Sequence, residues 1–122
     1  DYRNANDLSG KTAVITGGAS GIGLEAAGAL GQCGARLELL DLDASALDAA
    51  AGELRGNGCE VETASLDITD PAAVNSVAAA MHARSGAADI LLNSAGIARL
   101  HSATDVTDEE WRLVMDVNVN GT

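Results

Sequence analysis

Phenylalanine is absent from this chain of 122 residues, and Tyr2 and Trp111 are its only aromatic side chains. Apolar residues still make up 47% of it, but so many are Ala that the core must be built from small side chains packed closely. A single domain of this size can bury such a core, without a wide stability margin. Basic residues are scarce as well: seven Lys and Arg against eighteen Asp and Glu leave a net charge of −11. A field of that sign repels nucleic-acid backbones and anionic membrane surfaces, so neither is an expected partner. An anion that does bind must be held by local backbone dipoles. The two cysteines, Cys33 and Cys59, have no metal-ligand spacing and read as free thiols, and no metal site is expected. No apolar run approaches the ~20 residues of a membrane span and no N-terminal signal pattern is present, so the expectation is a soluble protein of the reducing cytoplasm. His82 and His101 stand in no nucleophile motif or His-x-x-x-His spacing; a helix surface and a loop are the expected places for them.

What is present is an alternation of strand and helix patterns. After a polar lead from Asp1 to Gly10, the β-branched run from Lys11 to Thr16 ends at a glycine cluster, as a buried strand should. From Gly21 to about Cys33, the residues Ile22, Ala26, Ala29, Leu30 and Cys33 recur at helical spacing, with Gly34 as the stop. A second strand from Ala35 to Asp41 leads to a second helix, for which Ser45 is the expected cap and Leu47, Ala50, Ala51 and Leu54 the apolar face. A third strand spans Cys59 to Leu66. Asp70-Pro71 then caps a third helix with the stripe Val74, Val77, Ala78 and Met81, ending by Gly86. A fourth strand, Ala88 to Asn93, is followed by a polar loop and by Thr107-Asp108-Glu109-Glu110, which has capping-box spacing. Trp111, Val114 and Met115 open a fourth helix, with Trp111 expected as a packing anchor. Strands and helices alternating in this way predict right-handed parallel crossovers and an α/β, Rossmann-type doubly wound sheet. All 122 residues are expected to form one dinucleotide-binding domain, ending within helix four.

The turn Thr16-Gly17-Gly18-Ala19-Ser20-Gly21-Ile22-Gly23 is the most informative segment. Its first glycine lets the chain reverse, its middle one lets backbone N–H groups approach a pyrophosphate, and Gly23 lets the helix pack closely. Three glycines in a turn mean little alone; between a strand and a helix N-terminus they form a phosphate cradle. Asp41 ends strand two eighteen residues after Gly23, close to the ~20-residue offset of a carboxylate that bonds an adenosine ribose. A solvated strand end is the plainer reading of the same residue. A carboxylate there repels a 2′-phosphate, no basic residue precedes Gly21, and Leu42-Asp43 follows Asp41, so NAD is expected over NADP.

With Asp67 and Asn93-Ser94-Ala95-Gly96 following in order, the chain resembles the short-chain dehydrogenase/reductase family from about Leu8 onward. The resemblance implies that Gly17, Ser20, Gly21, Ile22 and Gly23 line the pyrophosphate and that Asp41, with Leu42 beside it, binds the adenosine ribose. It further implies that Asp67 and Ile68 meet the adenine edge. Asn93, Ala95 and Gly96 fall where the family steadies the central sheet and passes the second ribose; Ser94 replaces a second Asn there, which puts a minor hydrogen bond in doubt. Asn118 matches the helix-four Asn whose backbone carbonyl supports a proton-relay water, although without the resemblance it would pass for an ordinary polar helix position. The run from Asn93 to His101 is also similar to family members that oxidise sugar alcohols. An alcohol or ketone is thus the implied small-molecule substrate.

The family's chemistry uses a Tyr-x-x-x-Lys pair, the lysine lowering the tyrosine pKa so that the phenolate takes the alcohol proton. Here the single tyrosine and single lysine, Tyr2 and Lys11, do not stand in that relation, and the family's catalytic serine is expected beyond Thr122. No general base is assignable. Two readings follow: the cofactor-binding half of a longer NAD-dependent dehydrogenase, or a truncated, reconstructed or designed half-fold that binds a dinucleotide or only folds. In strand order 3-2-1-4 the fourth strand is an open edge, and the resemblance implies that helix four pairs with its copy in a homo-oligomer.

Overall fold

A computed structural model describes residues 6–122, so Tyr2 and the start of the polar lead lie outside the described residues. Strands β1 (Thr12–Thr16), β2 (Arg36–Asp41), β3 (Val61–Ser65) and β4 (Ile90–Asn93) alternate with helices α1 (Gly21–Gln32), α2 (Ala44–Gly56), α3 (Pro71–Ser85) and α4 (Asp108–Met115). All pairings are parallel, in the order β3-β2-β1-β4, with β4 as the edge. The architecture is the expected Rossmann-type α/β sheet, and each strand is a little shorter than its apolar run.

Because side chains alternate across a strand, the two faces of the sheet receive different sets. Ala13, Ile15, Leu37, Leu39 and Val61 face α1 and α2 and make the main core with Ala27, Leu47, Ala50, Ala51 and Leu54. Val14, Leu40 and Leu66 face α3, where Val74, Val77 and Met81 are only half-buried. Ala78, assigned to the same stripe, is exposed and α3 has no fully buried residue. The core is one-sided.

Small residues decide how α1 meets the sheet. Its buried residues are Gly23 and Ala27, whereas Ile22 is 80% exposed and Ala29 is also exposed. This rotates the expected apolar face, because close approach selects the residues without bulk. A Cβ on Gly31 would stand 2.7 Å from Cys59 Sγ and 3.0 Å from Leu37 Cδ1.

Two further expectations change. The cap of α2 is Asp43, whose Oδ1 accepts the Ala46 N–H at 3.0 Å, and Ser45 already lies inside the helix. Asp43 precedes the helix and so has the reach to the third amide. Trp111 is 62% exposed and Met115 is exposed too, so the stripe on α4 is an outward face and Trp111 anchors no core in this chain. The capping box holds: Thr107 Oγ1 accepts the Glu110 N–H and Glu110 Oε2 accepts the Thr107 N–H, each at 3.2 Å.

Past Met115 the helix widens into a π-helical turn, Asp116–Asn120, closed by Gly121 N–H to the Asp116 carbonyl at 2.7 Å. Gly121 lies so close to Ile68 that a Cβ would come within 2.8 Å of Ile68 Cγ1.

Candidate functional site

The carboxyl ends of the strands open on a cleft of about 370 Å³. In a parallel sheet this is where loops leave the strands on one side and helix N-termini arrive. Gly17, Ser20, Gly21, Ile22, Asp41, Leu42, Asp67, Ile68, Ala95 and Gly96 line it. Three of the residues assigned by sequence, Gly23, Asn93 and Asn118, do not. Gly23 is buried beneath the turn, and Asn93 ends β4 on the other face, in an apolar groove of about 520 Å³ under α3. Leu40, Leu66, Ser94, Ile97 and Val117 also line the cleft. Sequence reading passed over Val117 because the π-helical turn breaks the regular helical period there.

The turn is held by close backbone approaches. Gly17 has φ +65°, and a Cβ on it would stand 2.8 Å from the Ala95 backbone. That proximity lets Thr16 grip the end of β4: its carbonyl accepts the Ser94 N–H and its Oγ1 the Ala95 N–H, both at 3.2 Å. Gly21 has φ +54° and faces open space, with nothing within 4 Å of a would-be Cβ. On the opposite wall, Asp41 Oδ2 accepts the Ala19 N–H at 3.1 Å.

The N-terminus of α1 differs from the other three helix starts. Asp43, Asp70 and Thr107 cap α2, α3 and α4 with side-chain oxygens, whereas Ser20 makes no cap bond and the first turn of α1 contains no acidic residue. Its first amides therefore keep their donor capacity and the positive end of the helix dipole. No Lys or Arg is among the lining residues. The cleft thus offers backbone donors at one end and carboxylates, Asp41 and Asp67, at the other.

Asp67 Oδ1 accepts the Thr69 hydroxyl at 2.6 Å and the Thr69 N–H at 2.9 Å, which together hold its carboxyl below the usual aspartate value. Asn118 works through its side chain as a two-point clamp: Oδ1 accepts the Ile97 N–H and Nδ2 donates to the Ile97 carbonyl, each at 2.8 Å. The clamp fixes the loop after β4 against the π-helical turn. Its backbone carbonyl accepts the Thr122 hydroxyl at 3.3 Å. His101, expected as a plain loop residue, pairs through Nε2 with Glu110 Oε1 at 3.0 Å.

At the far end of the sheet Asp89 accepts the Thr12 N–H and the Lys11 ammonium, both at 2.9 Å. The Thr12 amide, and then Lys11, hold its carboxyl below 3.8. A depressed folded-state value means that the unfolded chain binds the proton more tightly, so this stabilisation is complete above that pH and is lost as pH falls through the folded value. Asp89→Asn should therefore flatten the acid limb of a stability–pH curve and leave its slope near neutrality unchanged. Chemical denaturation at a series of pH values measures this, and an unchanged acid limb would contradict it.

A parallel sheet in the order β3-β2-β1-β4, with helices between the strands and a cleft at their carboxyl ends, defines a Rossmann-type α/β protein. Residues 11–122 match the family profile described as short chain dehydrogenase, and the chain belongs to that family of oxidoreductases. It is 48% identical over 122 residues to galactitol 2-dehydrogenase (L-tagatose-forming) of Cereibacter sphaeroides, covering 99% of this chain and 46% of that protein. Identity to D-threitol dehydrogenase of Mycolicibacterium smegmatis is 40%, covering 94% and 44%. The crystal structure of gox2181 superposes with a TM-score of 0.94 at 35% identity, covering 99% of this chain and 48% of that one. The chain thus spans less than half the length of these relatives. The family uses nicotinamide cofactors, NAD or NADP. No helix among the described residues is long and apolar enough to cross a membrane.

Proposed function

We propose that the cleft binds NAD and that these residues are the cofactor-binding half of a dehydrogenase interconverting a secondary alcohol and a ketone, with a polyol as the alcohol. The observation that carries the reading is the single uncapped helix start, α1, opening on a cleft whose other wall is Asp41. Gly17, Ser20, Gly21 and Ile22 would hold the pyrophosphate by backbone donors, Asp41 and Leu42 the adenosine ribose, and Asp67 and Ile68 the adenine. Ala95 and Gly96 would pass the second ribose. Gly23 acts beneath the turn, and Asn93 supports the sheet. Asn118 holds the loop that carries Ile97. Bound there, the nicotinamide ring supplies the hydride acceptor. The family's proton-transfer pair has no counterpart among these residues, so binding is ascribed to this chain and turnover to a whole enzyme.

The polyol assignment draws on the galactitol and threitol dehydrogenases among the relatives. Helix α4 and the π-helical turn after it present Trp111, Met115 and Val119 to solvent, and pairing with the same segment of a second copy would cover them. Free thiols at Cys33 and Cys59 suit the reducing cytoplasm.

Calorimetric titration of this chain with NAD and NADP tests the cofactor. NAD should bind about tenfold or more tightly than NADP, since a 2′-phosphate would meet the Asp41 carboxylate. Asp41→Ala should weaken NAD more than NADP. Equal weakening, or preference for NADP in the unaltered chain, would refute the assignment.

A further inference from the structure

The glycine turn reaches strand β2 through two successive amides. Gly18 N–H donates to the Leu40 carbonyl and Ala19 N–H to Asp41 Oδ2, each at 3.1 Å. Among the described residues, the Asp41 bond is the only hydrogen bond from a side chain to the segment 17–23. Ala19 is buried, so its amide has little access to water as a replacement acceptor. These two amides point back at β2. The donors left for an anion are those of the first turn of α1, which begins two residues after Ala19.

We infer that Asp41 is a positioning residue of the phosphate cradle, acting through the Ala19 amide, in addition to any bond it makes to a ribose. The inference rests on the cofactor reading of the cleft and deepens it. One carboxylate would then serve two ends of the same ligand: Oδ2 sets where the turn lies, and Oδ1, which accepts the Asp43 N–H at 3.4 Å, keeps acceptor capacity for a ribose. Selectivity and phosphate affinity are coupled at this position. Putting a basic side chain there to accept a 2′-phosphate would also remove the acceptor that steadies the turn, and ligands without a 2′-phosphate would lose part of their affinity for the cradle.

The test compares Asp41→Ala with Asp41→Asn, which carry the same charge and differ in whether an acceptor remains for the Ala19 amide. Amide hydrogen exchange by NMR, without ligand, reads the clamp directly. Exchange at Ala19 should rise about tenfold or more in Asp41→Ala and stay near the unaltered rate in Asp41→Asn. The binding arm uses ADP and 2′,3′-dideoxy-ADP, the second lacking the hydroxyls that a ribose ligand would bond. Asp41→Ala should bind dideoxy-ADP about three- to tenfold more weakly than Asp41→Asn, the size of one net hydrogen bond. Unchanged Ala19 exchange in Asp41→Ala, or equal dideoxy-ADP affinity in the two variants, overturns the positioning role while leaving the cofactor reading intact. Failure of the unaltered chain to bind ADP or NAD removes the cofactor reading, and the cradle role with it. A thermal melt of each variant confirms that the comparison is between folded chains; if Asp41→Ala does not fold, Asp41→Leu replaces it as the variant without an acceptor.

Discussion

Gly23→Ala should lower the melting temperature of this protein by about 10 °C or more. A Cβ at residue 23 would stand 2.2 Å from the Gly17 carbonyl oxygen and 2.9 Å from its carbon, both main-chain atoms. No rotamer change relieves such a clash, so β1 and α1 must separate. That shift propagates to the buried Ala27 and to the shelf on which Gly31 meets Cys59. The cost is about 3 kcal/mol or more, at the upper end of overpacking penalties. Against a total of roughly 5–15 kcal/mol for a domain, this is a large share, and the fall shows directly in a thermal melt.

Two companion substitutions separate clash from conformation. Gly21→Ala meets no atom within 4 Å but forces an L-residue to φ +54°, at about 1–2 kcal/mol. The added methyl would project into the open space of the cleft, so NAD affinity should suffer out of proportion to the change in melting. Gly52→Ala, in α2 with open space around it, should be stabilising by up to about 1 kcal/mol through helix propensity. If Gly23→Ala melts like Gly52→Ala, the close packing of turn and helix is misread.

The second large effect is expected on the opposite face of the sheet. Glu38 is 1% exposed in the centre of β2, where its Oε2 accepts from Arg84 Nη2 at 2.5 Å and its Oε1 from the Ser85 hydroxyl at 2.7 Å. The hydrogen bond to Glu38, and then the charge of Glu38, hold the Arg84 guanidinium above its usual pKa. Arg84→Ala would leave a buried carboxylate with one neutral donor. Removing one partner of a fully buried pair costs roughly 3–5 kcal/mol; since the Arg84 side chain is 42% exposed, solvent screening lowers the expectation to about 2 kcal/mol. Glu38→Leu, by contrast, removes the charge together with its need for a partner, in a groove lined by Val14, Leu40 and Met81. It should be near neutral.

Urea denaturation of the two single variants and of the double variant gives the coupling directly. A neutral Arg84→Ala would mean that water in the groove already solvates Glu38. Here α3 is tied to the sheet by the Arg84 and Ser85 bonds to Glu38 and by its half-buried apolar stripe, so its loosening should be visible as faster amide exchange along the helix.

Some of this was legible from residue order. The alternation of strand and helix, the parallel sheet, the turn from Thr16 to Gly23 and the carboxylate at the end of β2 are local patterns, set by side-chain period, capping chemistry and glycine's access to positive φ. Local rules also placed the cap at Asp70 and the box from Thr107 to Glu110. They misassigned the cap of α2, where Asp43 and Ser45 are both good formers and the reach of the side chain decides. They misassigned the buried face of α1, because hydropathy ranks Ile22 above Gly23, while the space between helix and sheet admits only the glycine.

Other features depend on residues that meet across long stretches of chain. Glu38 lies 46 residues before Arg84, and nothing near either one marks a partner. The Asn118 clamp on Ile97 and the widening of α4 are likewise products of packing. Asp41 shows the division most plainly. Its offset from the glycine turn made it a candidate ribose ligand, but its bond to the Ala19 amide appears only when β1 and β2 lie side by side. Sequence alone determined the glycine turn between β1 and α1 that the proposed cradle uses, since turns are written locally. Tertiary structure decided what holds that cradle in place, because such contacts require the chain to fold back on itself.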